Sequence, residues 1–285
     1  MPQTETNWTV ITGSTGGIGS ELAKILAGRG DHLILVNRSR EKADLQRSKL
    51  LTDHKELRIE LVTADFMDTT KIAEAIKEIL AIPGRIDVLY NNAGVLTSEK
   101  ILSAQGFESH YAVNVLAPFQ MIGGLRTKMA RASKDKPAMV INFSSSVIKQ
   151  QKSLDLDSLA NPDQVTGLMG TYAQSKLAVT TMSAALADSL AEDHTLIRAI
   201  DPGATRTPMT KGNAAMPKPL QWIAPLLFSP ADKQARKVVD AAGPDNFASR
   251  SGILVANRIE KKLPHTAADT DVQRELITLL QRSLS

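Results

Sequence analysis

The chain has 285 residues, 42% of them hydrophobic, with 34 Lys plus Arg against 30 Asp plus Glu and no cysteine. That apolar content, with 17 glycines, is globular rather than disordered or coiled-coil, and the absence of Cys removes disulfide frameworks, thiolate nucleophiles, zinc fingers and iron–sulfur ligation. The net charge of +4 is interspersed with acids, which predicts no nucleic-acid partner; apolar stretches far short of the ~20 residues of a membrane span, and a polar start at Met1–Thr6, predict a cytoplasmic chain without anchor or signal peptide.

In chain order, short β-branched runs alternate with helical patterns. Strands are predicted at Trp8–Thr12, His32–Asn37, Leu57–Ala64, Ile86–Asn91, Met139–Ser145, Leu196–Asp201 and Gly252–Ala256. Helices are predicted at 17–29, 39–53, 69–82, 104–132, 171–192, 230–242 and 270–284. Strands separated by long helices describe an α/β fold: a doubly wound, seven-stranded parallel sheet with helices on both faces, forming one domain over 1–285. Ligands then bind at the carboxyl ends of the strands. Two stretches break the rhythm, a polar insertion at Gln150–Gly170 and a Pro- and Met-rich segment at Gly203–Pro230.

The first predicted strand ends in Thr12-Gly13-Ser14-Thr15-Gly16-Gly17-Ile18-Gly19 and runs into a helix. Such a turn lets backbone amides and the positive helix end approach a pyrophosphate, although any tight βα turn can use glycine. At the end of the second strand Asn37 is neutral and Arg38 follows, with Arg40 nearby. An acidic residue there would bind ribose hydroxyls and repel a 2′-phosphate, so this pattern predicts NADP(H) over NAD(H); otherwise Arg38 is a solvent-facing helix-entry residue. Tyr172 and Lys176 stand four apart on a predicted helix, on one face. A phenol with an ordinary pKa of ~10 shares its proton more readily beside a positive charge, which Lys176 is placed to supply. Ser145, at a strand's carboxyl end, can hold a substrate carbonyl by hydrogen bond. The five histidines share no ligand spacing, so no metal site is expected.

The Gly-rich spacing T-G-x-x-x-G-x-G resembles that of the short-chain dehydrogenase/reductase family, and further motifs follow in order. They are Asn91-Asn92-Ala93-Gly94, Tyr111-Ala112-Val113-Asn114, Ser144-Ser145-Ser146, Tyr172-Ala173-Gln174-Ser175-Lys176 and Pro202-Gly203 with Thr207. The resemblance implies a Rossmann fold and a hydride transfer between a nicotinamide and a small-molecule carbonyl or alcohol. It makes Tyr172 the general acid or base, Ser145 the group that orients the substrate oxygen, with Ser146 as the alternative, and Asn114 the holder of a water in a proton relay. Lys176 would also bind the nicotinamide ribose. Gly13, Ser14, Thr15, Gly17, Ile18 and Gly19 would cradle the cofactor, with Asn37 and Arg38 at its adenosine end. Asp65 and Phe66 would meet the adenine, Asn92, Ala93 and Gly94 the central cofactor, and Pro202, Gly203 and Thr207 the carboxamide region. Asp65 has the alternative of merely ending the third strand. The chain is most like the retinol-dehydrogenase and carbonyl-reductase branch, through the Arg after strand two, the helix around His110–Asn114, the insertion before Tyr172, and Tyr172–Ala178 reading Y-A-Q-S-K-L-A. It departs from membrane-bound members in lacking an anchor, and Asp201 stands where His is frequent. Asp201 is either a polar substrate contact or an Asp-Pro turn whose carboxylate takes local amides.

A non-catalytic nucleotide-sensing protein is the alternative function, but it has no use for Tyr172 and Lys176. An epimerase or dehydratase of the extended relatives would carry a longer carboxyl-terminal domain. The segment Gly203–Pro230 is expected to form a lid over a bulky, apolar substrate through Met209, Met216, Leu220, Trp222, Ile223, Leu226, Leu227 and Phe228. The insertion leads into the 171–192 helix and is expected to cover its outer face, giving a monomer or dimer.

Overall fold

The computed structural model describes residues 6–131, 136–206, 228–243, 247 and 249–285. Strands β1 (Asn7–Thr12), β2 (His32–Asn37), β3 (Ile59–Thr63), β4 (Arg85–Asn91), β5 (Ala138–Phe143), β6 (Thr195–Asp201), β7 (Ile253–Ala256) and β8 (Ile259–Lys261) form one sheet in the order β3-β2-β1-β4-β5-β6-β7-β8. The first seven are parallel, as expected. The eighth corrects the count: it returns antiparallel from β7, with Ala256 opposite Ile259 across Asn257-Arg258. Both turn residues hold positive φ, 52° and 61°, as a two-residue hairpin of matching twist requires. The signal was weak because the turn lacks the usual Gly and β8 has only three residues.

The long helices are α1 (Gly17–Gly28), α2 (Arg40–Asp53), α3 (Thr69–Ala81), α4 (Ala117–Met129), α5 (Thr171–Ala185), α6 (Ala231–Ala242) and α7 (Thr270–Arg282). Strand periodicity decides which side each meets. In β2, Leu33 and Leu35 belong to the core shared with α1, α2 and α6, whereas Ile34 and Val36 belong to the core shared with α3, α4, α5 and α7. The two resulting cores are continuous, and the strands read as unbroken apolar runs because both faces are covered.

Two predicted helices are subdivided. The chain over 104–132 first makes a turn in which Gly106, at φ 82°, donates its amide to the Ser103 carbonyl. Helix then starts at Ser109–Tyr111, widens into a π turn at Ala112–Leu116, and continues as α4 with Pro118 near its start. The predicted 171–192 helix breaks between α5 and a short turn at Ala187–Ala191. Helix α5 is buried on nearly every side, its small residues fitting against the sheet, while α7 and the short helix His265–Ala268 pack on its outer face. The covering element is thus mainly the carboxyl-terminal helix; from the insertion, Leu156–Leu159 adds a smaller contact. No helix among the described residues is long and apolar enough to cross a membrane.

Candidate active site

The chain reverses its direction of winding between β1 and β4, and at that switch point the strand ends diverge into a crevice. A cavity of about 730 Å³ occupies it. The turn after β1 forms its floor. Gly13 holds φ 67°, and a Cβ on Gly19 would come within 2.3 Å of the Gly13 carbonyl, so no larger residue fits either place. Thr12 and Asn92 tie this turn to the end of β4: the Asn92 amide donates to the carbonyls of Thr12 and Gly13 at 2.8 and 2.9 Å, and the Ala93 amide donates to Thr12 Oγ1 at 3.0 Å. Gly13, Thr15, Gly17 and Ile18 line the cavity, as do Asn92, Ala93 and Gly94.

Ser14, Gly19, Asn37 and Asn114 stand behind that wall. Asn37 is buried, accepts from the Thr15 amide at 3.2 Å and donates to Ser14 Oγ at 2.8 Å, while Gln46 closes the set by bonding both the hydroxyl and the carbonyl of Ser14. Asn37 therefore shapes the turn from beneath. Asn114, in the π turn, accepts from the Val95 amide at 2.8 Å and donates to the Val95 carbonyl and to Ser175 Oγ. Its side chain fastens the loop after β4 to α5, and π turns of this kind recur where a backbone is re-aimed at a site.

On the β2 side the cavity is edged by Arg38, Ser39 and Lys42. Ser39 caps α2 by accepting from the Lys42 amide. Lys42 escaped the sequence reading, although its place three residues after an N-capping serine puts it in the same helix turn as the cap. Arg40 is turned away, paired with Asp44 and the Leu61 carbonyl. Asp65 and Phe66 line the wall after β3, where Asp65 also accepts from the Met67 amide.

On the β5 and β6 side stand Ser145, Tyr172, Lys176, Asp201, Pro202 and Gly203. Ser144 is committed elsewhere, to Thr180 at 2.7 Å, whereas the Ser145 hydroxyl engages the Tyr172 phenol. Lys176 Nζ donates to the Phe143 carbonyl at 2.8 Å and lies 5.7 Å from the centre of the Tyr172 ring. Burial lowers the pKa of Lys176 to about 8. The phenol is pushed above its ordinary range by burial and then by the charge of Asp201, with Ser145 pulling the other way. Asp201 accepts from the Gly203 amide at 2.8 Å, so it makes the local turn and faces the cavity at once. Burial raises its pKa against the amides of Gly203 and Ser146 and the charges of Lys149 and Lys237. Thr207, and the segment from Met209 to Leu227 that was expected to form the lid, lie outside the described residues; Phe228 lies within them and packs with Leu96, Leu168 and Tyr172.

The donor set suits a dinucleotide. Gly16 caps α1 without any side-chain bond, so the first-turn amides keep no intramolecular cap. Cations edge one side of the cavity, and a phenol, a hydroxyl and an ammonium edge the other.

Residues 7–218 match the model of the short chain dehydrogenase family. Among curated proteins, the chain is 30% identical over 204 residues to the chloroplastic short-chain dehydrogenase TIC 32 A of Brassica napus, a match spanning 70% of this chain and 63% of that one. It is 27% identical to retinol dehydrogenase 13 of Mus musculus, across 94% of this chain and 81% of that one. The fold is similar to that of a blue fluorescent protein from a metagenomic library solved in complex with NADPH, with TM-score 0.67 and 23% identity over 88% of this chain and 96% of that one.

Proposed function

We propose that this chain, which belongs to the short chain dehydrogenase family, is an NADP(H)-dependent oxidoreductase acting on a bulky, apolar carbonyl or alcohol. The observation that carries the reading is the meeting of Tyr172, Ser145 and Lys176 in one cavity with the Gly-rich turn after β1. A bound nicotinamide would supply or accept the hydride. Tyr172 would give its proton to the carbonyl oxygen in reduction and take it back in oxidation, and Ser145 would orient that oxygen. Lys176, beneath the ring and anchored on the Phe143 carbonyl, would hold the ribose hydroxyls. Thr15, Gly17 and Ile18 would face the pyrophosphate at the amino end of α1.

NADP(H) is favoured because Arg38 and Lys42 both edge the cavity beyond β2 with no acid among its lining there, so a 2′-phosphate meets cations and a capped helix terminus. Support for an apolar substrate comes from Leu168, Tyr172 and Phe228 packed around Leu96 at the cavity wall. The likenesses to retinol dehydrogenase 13 and to TIC 32 A agree with such chemistry.

The test is incubation with NADPH, or NADH, and a panel of aldehydes and ketones, followed through the cofactor's absorbance. Turnover of apolar carbonyls with NADPH supports the assignment. Binding of either nucleotide with no turnover of any carbonyl, or of any alcohol in the reverse direction, would replace it with a nucleotide-sensing role.

A further inference from the structure

Outside the catalytic cluster the chain buries a second titratable pair. Glu108 and His110 are both 0% exposed, on the short helix that leads into the π turn. His110 Nδ1 and Glu108 Oε1 lie 2.9 Å apart, the same oxygen accepts from Ser109 Oγ at 2.8 Å, and Glu108 Oε2 accepts from the His110 amide at 2.9 Å. Burial works against the Glu108 charge, yet the bonds from His110 and Ser109 outweigh it and hold the carboxyl below its ordinary pKa.

The other ring nitrogen settles the tautomer. His110 Nε2 receives the backbone amide of Thr97 at 3.2 Å, and an amide can only donate. Nε2 is therefore the bare nitrogen and Nδ1 carries the proton toward Glu108. A buried carboxylate thus selects the ring form able to hold a backbone amide, as a partner carboxylate commonly does for histidine.

What the ring holds is the cavity wall. The loop after β4 is fastened at Val95 by Asn114 and at Thr97 by His110, and between them Leu96 packs against Tyr172. The His110 ring itself meets the Tyr172 ring at 76°, with centres 6.0 Å apart, the T-shaped geometry favoured between aromatic rings. One imidazole therefore touches the phenol directly and fixes the apolar side chain on its flank.

We propose that Glu108 and His110 are positioning residues for the reaction assigned above: Glu108 holds His110 in its Nδ1–H form, and His110 sets the placement of Tyr172 and Leu96. The inference rests on the proposed oxidoreductase reading. Neither residue touches the reacting atoms, and neither passes a proton to Tyr172. Their effect is geometric, and small displacements of a reacting group carry large kinetic costs.

Three replacements of His110 separate packing from hydrogen bonding. His110→Gln can set an acceptor oxygen near the place of Nε2. His110→Asn keeps a polar group on the Glu108 side and loses the acceptor. His110→Phe keeps the ring against Tyr172 and loses both bonds. With NADPH and decanal as probes, His110→Asn and His110→Phe are expected to lower kcat by about 10–100-fold, with the NADPH Kd unchanged, and His110→Gln to recover most of the loss. Glu108→Gln should give a smaller fall in kcat. In ¹⁵N NMR of the folded wild-type protein the His110 ring should show its proton on Nδ1. An Nε2–H ring, a kcat in all three variants within twofold of wild type, or a loss that follows melting temperature alone with no recovery in His110→Gln would overturn the proposal. A wild-type protein inactive toward every carbonyl would instead remove the oxidoreductase reading, and this inference with it, while leaving the tautomer measurable.

Discussion

Asp201 and Tyr172 face the same cavity, and the carboxylate charge of Asp201 opposes ionisation of the phenol. In the proposed mechanism alcohol oxidation uses Tyr172 as a base, so its rate should rise with pH along a limb set by the phenol pKa. Asp201→Asn removes a raising influence, and the limb should move toward lower pH. The measurement is kcat/KM for alcohol oxidation against pH in both proteins. A limb that stays in place, or moves toward higher pH, contradicts the coupling.

Arg38→Asp replaces a cation at the cavity edge with an anion and should weaken NADPH binding by about tenfold or more, the scale of one charged hydrogen bond, while sparing NADH. Lys42→Ala should act in the same direction and more weakly. Since both residues are exposed, the NADPH preference of the wild type should also shrink as salt rises. Titrations of each cofactor at two salt concentrations check this; an unchanged preference in Arg38→Asp would remove the argument for a 2′-phosphate site.

The burial of Lys176 has a cost that pH reveals. Its pKa is lowered by burial to about 8 in the folded chain from its ordinary value of 10.5. Below pH 8 the ammonium is charged in both states and folding bears the full desolvation penalty; between pH 8 and 10.5 the folded chain sheds the proton first, so this group's contribution to stability rises with pH. Lys176→Met removes the titration. The melting temperature of the variant relative to wild type should therefore be highest below pH 8 and fall steadily above it. A difference that is flat across this range would show that Lys176 is not desolvated.

Much of this arrangement was legible in the sequence because it is local. The Gly-rich turn, Asn92-Ala93-Gly94 and the Tyr172/Lys176 pair are each set by contiguous residues or by one helical turn. The seven parallel strands could be read for the same reason, since burial on both faces leaves uninterrupted apolar runs. What escaped depends on distant partners. Asn37 was expected at the cofactor, but its side chain is bonded to Ser14 and Thr15, residues more than twenty positions away. Nothing in the spacing of Glu108 and His110 shows that the ring reaches Thr97, and the π turn around Asn114 carries no periodicity of its own.

The packing of α7 on α5 bears on assembly. A helix face already covered within the chain offers little apolar surface to another copy, so a monomer or dimer is expected by light scattering. A tetramer that dissociates on substitution of half-buried residues of α5, such as Gln174 or Ala184, would contradict this.

The central claim is that Tyr172 delivers the proton, and Tyr172→Phe tests it most directly because the ring still packs against His110 and Leu96. NADPH affinity and carbonyl turnover should be measured on the same preparation. The account predicts near-normal NADPH binding with turnover reduced by ~10²–10⁴, the usual worth of a positioned general acid. Near-normal turnover in Tyr172→Phe would show that another group supplies the proton and would contradict the account.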